Sequence, residues 1–552
     1  VQNTGSTALR IAAVFLVVCA GYSAAGSLVL SALVITSRID ESSGFLLRTL
    51  VKAFVFSGLS LGGVWVLLRG RIQPSGDDSG ESPMFQKGFL TLIFGALCLV
   101  VVVVFYFPNL STNPSLLPDE AHHARVARNI AEYGQYASGH PDERMRMFDV
   151  YDSVGPAVLI PVAFAFKLFG STVLAARSVI ALSFVLLCLA AYRFARPIFG
   201  EAAAALGALG VATAWGSVYL ARTLYGEGPA LLFLILALLT WRHALQAPNR
   251  YVVGFIAGLC FALAVLSKTF IILALWGGVG AYLYDRATHR RIRWQHVAYP
   301  AMGFIAVMGL WSVAQRLHAG PQDSAAMSTL GLYKHYLMFG IATAPKGVLF
   351  LLVRAKMTVV MTVGLFAMTS LAFKKRYDPP MIMLTCTAVL LIFWWLFFTP
   401  ATIQRYLWYT FAIGGLGLGP ALVAAWAAYR STSRPTAFRY SGLALLLVLV
   451  GCSSHLMYRE AAWVFGNDST ADEYALAAHI GARSEGEAIA TTHWPLVKSL
   501  DFLTGRAIEQ LEAYQPGSPS TVVVWKDDSA PVLEKHAPDA IIGPYAVFHG
   551  EG

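Results

Sequence analysis

Apolar windows of about 20 residues recur from one end of this chain almost to the other, and that recurrence leaves few folds open. They fall at 9–35, 45–69, 87–107, 172–193, 199–219, 228–244, 251–266, 269–284, 296–316, 347–372, 380–399, 404–429 and 440–458. In lipid every backbone N–H and C=O needs an internal partner, so windows of this kind form helices. Charged residues make up 13% of the chain, where a soluble protein carries roughly 25%. The fold class read from this is an α-helical polytopic membrane protein of about 13 transmembrane helices. The first apolar run is too long for a cleaved signal peptide. A further apolar stretch, 154–169, is interrupted by Gly155, Pro156 and Pro161 and reads as a re-entrant or interfacial helix.

The net charge of +10 raises the question of nucleic acid. The basic residues answer it, because they occupy alternate short loops, as the positive-inside rule expects. With the N-terminus in the cytoplasm, the cytoplasmic loops hold Arg69, Arg71 and Lys87; Arg193 and Arg196; Arg242 and Arg250; Arg286, Arg290, Arg291 and Arg293; Lys374, Lys375 and Arg376; and Arg430, Arg434 and Arg439. The same parity places 108–152, 220–228, the 267–268 turn, 317–346, 400–405 and the C-terminal tail outside. The expected partner is the lipid bilayer, not nucleic acid. The six cysteines all lie in apolar runs, with neither metal-ligand spacing nor a disulfide framework.

Three regions follow. Residues 1–86 hold two N-terminal helices and, at 70–86, a polar Ser/Gly/Pro-rich cytoplasmic linker. Residues 87–459 form a transmembrane domain with the outer loop 108–152. Residues 460–552 read as a small C-terminal extracytoplasmic α/β domain. There a helix over 471–482 precedes EAIATTH, LVKSLDFLTGR, TVVVWKDD and AIIGPYAVF, taken as strand, helix, strand and strand.

Four places carry charge where charge needs a reason. In Pro118–Gly134, PDEAHHARVARNIAEYG, Asp119 and Glu120 open a helix with Ala121, Ala124, Ala127, Ile130 and Ala131 at helical spacing and Gly134 at its close. The helix dipole favours ionised carboxylates there, which suits a general base. The plain alternative is Asp119 as N-cap with a first-turn acid. His122 and His123 are adjacent, so they leave the helix in different directions, unlike paired metal ligands. No metal is predicted, although a divalent cation is compatible with the acids. In ARTLYGEGPALLF, Glu227 lies between two glycines at the lip of two spans, with Arg222 as a candidate partner and a solvated loop acid as the alternative. In LAVLSKTFIILAL, Lys268 either snorkels to the surface or faces a cavity that holds an anion. In TPATIQRYLWYT, Arg405 and Tyr406 open a span on the outer side, where positive-inside logic disfavours arginine and anion binding gains weight. All four places fall on one membrane face. Together they supply two acids and two bases, a set suited to an anionic donor and to deprotonating a hydroxyl.

At these residues the chain resembles the GT-C type membrane glycosyltransferases, and within them the branch of protein O-mannosyltransferases and the lipid A aminoarabinose transferase. The features that carry the resemblance are Asp119-Glu120 in the first large outer loop, NIAEYGQYA, GPAVLIPVAFAFKLFG, Arg222 to Leu231 with Glu227 at the acid, GLCFALAVLSKTF with Lys268, and Arg405-Tyr406. They keep their order over roughly 108–410. The sequence departs from the family in three ways. Two spans precede the Asp-Glu loop, Glu227 stands where aspartate is usual, and VGPAVL replaces a K-P-P-L-like element.

The resemblance implies inverting transfer of a sugar from a polyprenyl-phosphate donor to a hydroxyl on a glycan, lipid or protein, at the outer face of the plasma (inner) membrane. It implies Asp119 as general base, with Glu120 and Glu227 orienting acceptor or base. Lys268 and Arg405, with Arg222, would hold the donor phosphate, and His122, His123 and Tyr406 would position donor or acceptor. The rival readings are a polytopic transporter or flippase, a non-catalytic scaffold, and a polymerase using diphosphate-linked donors.

Overall fold

A computed structural model describes residues 105–139, 145–147, 154–246, 251–318, 351, 355–374, 377–398, 404–430, 436–466, 471–483, 489–491, 494–504, 506, 508–510, 521–525, 538–542 and 544–548. The predicted spans 9–35 and 45–69, the linker 70–86, most of 87–107 and most of the loop 317–346 lie outside the described residues.

The helices, in chain order, are α1 (Pro118–Tyr133), α2 (Pro156–Phe169), α3 (Val173–Phe199), α4 (Glu201–Ala212), α5 (Ser217–Ala221), α6 (Glu227–Gln246), α7 (Tyr251–Ser267), α8 (Ala274–Thr288), α9 (Gln295–His318), α10 (Ala355–Lys374), α11 (Pro379–Phe398), α12 (Trp408–Arg430) and α13 (Thr436–Gly466). Among the described residues six helices are long and apolar enough to cross a membrane: α3, α6, α9, α11, α12 and α13. Apolar side chains on their outer faces, such as Met302, Ile305 and Leu310 of α9, are exposed. That is how a bundle solvated by lipid should look, because hydrocarbon does not penalise them. Inside the bundle, α12 packs on α4 and α10 through its glycine-rich stretch, the small-residue contact by which membrane helices approach closely.

Two predicted windows are divided. The window 199–219 becomes α4 and the five-residue α5. The window 269–284 begins with a 3-10 turn, Thr269–Leu273, before α8 starts. Lys268 sits in the turn predicted at 267–268: its backbone is extended (φ −154°, ψ 114°) where α7 ends, and its side chain is buried. The segment 154–169 is one helix, α2, of 14 residues. At about 21 Å it is too short to span a bilayer core. It leaves Ile160, Phe164 and Leu168 exposed along one side.

The C-terminal region adds α14 (Ala471–Arg483), α15 (Trp494–Thr504) and a five-stranded sheet. With β1 (Ala137–Ser138) and β2 (Arg146–Met147) forming a two-stranded ribbon earlier in the chain, the sheet strands are β3 (Ile489–Thr491), β4 (Ile508–Gln510), β5 (Thr521–Trp525), β6 (Ala540–Ile542) and β7 (Tyr545–Phe548). Their order is β4-β3-β5-β7-β6, with β3 parallel to both its neighbours and β7 antiparallel to both of its own. Leu476 and Ile480 of α14 and Leu496 and Leu500 of α15 pack on Ile489, Val523 and Val547. AIIGPYAVF, predicted as one strand, folds back on itself as the β6–β7 hairpin. β4 was not predicted, because three residues carry no readable alternation.

Helix α15 docks directly on α1. Arg125 of α1 pairs with Asp501, Arg128 donates to Phe502 O at 2.9 Å, and Ser499 donates to Leu116 O at 2.9 Å.

Candidate active site

Helix α1 starts two residues earlier than a cap at Asp119 would require. Leu117 is the cap residue, Pro118 opens the helix, and no side chain caps it. Proline suits that place, since its φ is already helical and its missing N–H would have had no partner. The expected N-cap role for Asp119 is thereby corrected. Its half-exposed carboxylate instead accepts a hydrogen bond from Arg405 Nη2 at 2.9 Å. At the far end Gly134 takes the left-handed conformation (φ 70°) that closes the helix, as the sequence suggested.

Glu120 faces the other way. It is buried and accepts from Arg177 Nε and Nη2, both at 2.8 Å, and from Leu224 N at 2.9 Å. Arg177 also donates to Leu110 O at 3.0 Å. Glu120 therefore ties α1 to α3 and to the loop before α6. It is not brought to the other charged residues, contrary to the expectation for it.

Arg222 differs from expectation too. It is fully buried and donates to Phe105 O, Tyr106 O and twice to Asn113 O, at 2.9–3.2 Å. Carbonyls at the end of a helix and in the loop after it need donors, and this guanidinium supplies them. It is neither the partner of Glu227 nor turned toward an anion site. His123 is buried with Nδ1 3.1 Å from Leu224 O. Burial, with His122 beside it, holds its pKa well below 6.5, so the neutral ring donates from Nδ1. His122 lies next to it, half-buried, with ring centres 6.0 Å apart.

The remaining four predicted residues converge. Glu227 is the first residue of α6 and has no exposed surface. Its Oε1 lies 3.7 Å from Lys268 Nζ and 4.0 Å from Arg405 Nε. Arg405 bridges Glu227 to Asp119. Gly226 makes the approach feasible: a Cβ there would sit 2.1 Å from Ser267 O. Only glycine lets the start of α6 press against the end of α7, next to Lys268.

Aromatic rings wall the cluster. The Arg405 guanidinium lies 4.4 Å above the Tyr225 ring and 5.5 Å from that of Tyr406, and Lys268 Nζ is 5.7 Å from the Tyr406 ring. Behind them Phe270 stacks on Trp394 at 5.1 Å and meets Tyr406 edge-on at 4.8 Å.

The cluster is ion-paired yet poorly hydrogen-bonded. Among the described residues neither carboxylate oxygen of Glu227 has a hydrogen-bond partner, nor do Arg405 Nε and the buried Tyr409 hydroxyl. Buried polar atoms are nearly always satisfied, and exceptions mark strain or a ligand's place. The geometry offers two cations for an anion, a half-exposed carboxylate able to take a proton, and a buried carboxylate with free lone pairs. Among the described residues no group of three or more His, Cys, Asp or Glu side chains lies together as metal ligands.

The sequence reading passed over Arg177, Tyr225 and Tyr409. A charge one turn inside the 172–193 window was a usable signal for Arg177. Tyr225, in the loop before α6, and Tyr409, in α12, had none, because aromatics are ordinary in and beside apolar helices.

The family described as dolichyl-phosphate-mannose-protein mannosyltransferase matches residues 153–315. An uncharacterized protein of Aquifex aeolicus (strain VF5) is 27% identical over 226 residues, covering 40% of this chain and 43% of that relative. The chain thus matches less than half of that curated relative's length. Among solved structures, ArnT from Cupriavidus metallidurans bound to undecaprenyl phosphate aligns with a TM-score of 0.60 at 16% identity, over 84% of this chain and 98% of that one. The archaeal oligosaccharyltransferase AglB from Archaeoglobus fulgidus, in complex with an inhibitory peptide and a dolichol-phosphate, aligns at 0.51 and 13% identity, over 81% and 70%. The chain is a multi-pass membrane protein with the GT-C glycosyltransferase fold.

Proposed function

From that fold, we propose that the chain is an inverting glycosyltransferase that moves a sugar from a polyprenyl-phosphate donor to a hydroxyl on a glycan, lipid or protein. The observation that carries this is the convergence of Asp119, Arg405, Glu227 and Lys268, with the Glu227 carboxylate buried and without hydrogen bonds. The donor phosphate takes Lys268 and Arg405 as its cations, and Arg405 then loosens its hold on Asp119. Asp119 accepts the proton of the incoming hydroxyl. The acceptor oxygen bonds to the anomeric carbon as the bond from that carbon to the phosphate oxygen breaks. Polyprenyl phosphate leaves as a monoester whose second pKa is about 6. Two neighbouring cations stabilise it without a strong general acid. Glu227 accepts from sugar or acceptor hydroxyls, and Tyr406 shapes the floor of the pocket. Glu120 and Arg222 hold the frame that presents Asp119.

The reaction is assigned to the outer face of the plasma (inner) membrane, with 87–459 as catalytic domain and 460–552 as an outer domain covering α1. A transporter would group its ionisable residues at the bilayer midplane. This cluster is built on the first residue of α6 instead.

The test is sugar transfer in membranes lacking the gene, given a panel of synthetic polyprenyl-phosphate sugars. Wild type should consume one of them, and Asp119→Asn at matched expression should lose on the order of 10²–10⁴-fold. No consumption by wild type, or an undiminished Asn variant, overturns the assignment.

A further inference from the structure

The far end of α6 meets a second polar region. Trp241 Nε1 donates to His296 O at 2.9 Å, and Arg242 pairs with Asp378 at 2.7 Å. At 1.5 Å per residue, Arg242 stands about 22 Å along the helix from Glu227. This region therefore belongs to the opposite side of the membrane from the charged cluster.

Here the last turn of α8 and the loop before α9 carry Arg286, Arg290, Arg291 and Arg293. The one acid among them, Asp285 of α8, is buried and occupied. Its oxygens accept from Arg291 N, Ile292 N and the Tyr377 hydroxyl, so it shapes the turn without neutralising a guanidinium. Arg286, Arg293, Tyr282, Trp294 and Gln295 line a cleft of about 390 Å³. Arg286 lies over the Tyr282 ring at 5.8 Å. Among the described residues neither Arg286 nor Arg293 forms an ion pair.

The depth of the cleft follows from its neighbours. Trp294 is 70% exposed at the start of α9, and the same helix then exposes Val297, Met302 and Ile305. An exposed tryptophan between a basic turn and a lipid-facing helix marks the headgroup level of a bilayer.

We propose that this cleft is a binding site for the phosphate headgroup of an anionic membrane lipid. Arg286 and Arg293 are its phosphate ligands, since guanidinium forks match phosphate oxygens two at a time. Trp294 flanks the lipid where headgroup meets acyl chain, and Gln295 donates to the headgroup. The apolar run of α9 beginning beside the cleft favours a lipid over a free phosphate, because acyl chains have somewhere to lie.

The experiment uses the purified full chain in a zwitterionic detergent. It measures binding of a fluorescent short-chain phosphatidylglycerol, with unlabelled phosphatidylglycerol, phosphatidylcholine and inorganic phosphate as competitors. Two arginines at a membrane surface contribute enough that Arg286→Gln/Arg293→Gln should weaken binding on the order of tenfold to thirtyfold. The charge-matched control Arg290→Gln/Arg291→Gln removes the same charge outside the cleft and should weaken it less than about threefold. If that double variant does not fold, Arg293→Lys keeps the charge, loses the fork, and should still weaken binding. Equal losses in both double variants reduce the effect to general surface attraction and overturn the site. Competition by inorganic phosphate as effective as by unlabelled phosphatidylglycerol overturns the lipid assignment. The readout is lipid binding, so it stands or falls independently of sugar transfer.

Discussion

The first residue of α6 and its last turn both hold a buried charge, and the two are provided for in opposite ways. At the far end Arg242 meets Asp378 with two parallel bonds of 2.9 and 2.7 Å, donates to Phe194 O at 2.6 Å, and lies 4.3 Å over the Phe194 ring. Asp378 also accepts from Met381 N at the start of α11. At the near end Glu227 has cations 3.7 and 4.0 Å away and, among the described residues, no hydrogen-bond partner for its carboxylate. Satisfied buried pairs fix a structure, whereas a buried charge left short of hydrogen bonds destabilises it. One helix thus separates a device that holds the bundle together from one kept open for something that binds.

Substitutions at the two ends should therefore fail differently. Arg242→Met leaves Asp378 buried without its partner. It should lower stability by about 3–5 kcal/mol, read as a fall in melting temperature in detergent, while the folded fraction keeps its turnover. Lys268→Met should cut transfer by roughly 10²–10³-fold per folded molecule, a loss that Arg242→Met does not show. Were it to melt as early as Arg242→Met with normal turnover per folded molecule, the contrast would be lost.

Glu227→Gln leaves Lys268 without its nearest counter-ion and should lower transfer per folded molecule. Unchanged transfer per folded molecule would show that Glu227 is structural. The smallest effect concerns His123, whose pKa burial holds well below 6.5. The unfolded chain takes up a proton near pH 6.5 and the folded one does not. The contribution is therefore complete above pH 6.5 and is lost as pH falls below it, by roughly 1.4 kcal/mol at pH 5.5. His123→Gln should flatten that part of the melting profile between pH 7 and 5.5.

The residues that proved easiest to find in the sequence were those that cost most to bury. Glu227, Lys268 and Arg405 stand out because charge inside apolar windows is expensive, and the structure brings them together. That expense says a partner exists without saying which one. Hence Arg222 was assigned to Glu227, five residues away, when its partners are carbonyls of 105–113. For the same reason Glu120 was grouped with Asp119, although its partner Arg177 lies 57 residues on. Adjacent helix positions face different neighbours, and only packing decides which. The long helices were readable from hydropathy because lipid imposes it. The turn predicted at 267–268 is where Lys268 ends α7. β4, at three residues, is too short for any periodicity to register.

The docking of α15 on α1 has a consequence for how the protein is made. Arg125 and its partner Asp501 are 376 residues apart in the chain. At about 5–20 residues per second, the ribosome delivers the second roughly 20–75 s after the first. Through that interval α1, with Asp119 already in place, is left with Arg125 and Arg128 uncovered on the side that α15 will occupy. A nascent chain stopped before residue 494 should be nicked within α1 by trypsin, and one released at full length should resist. The helix carrying the proposed base would then be the early product whose protection arrives last.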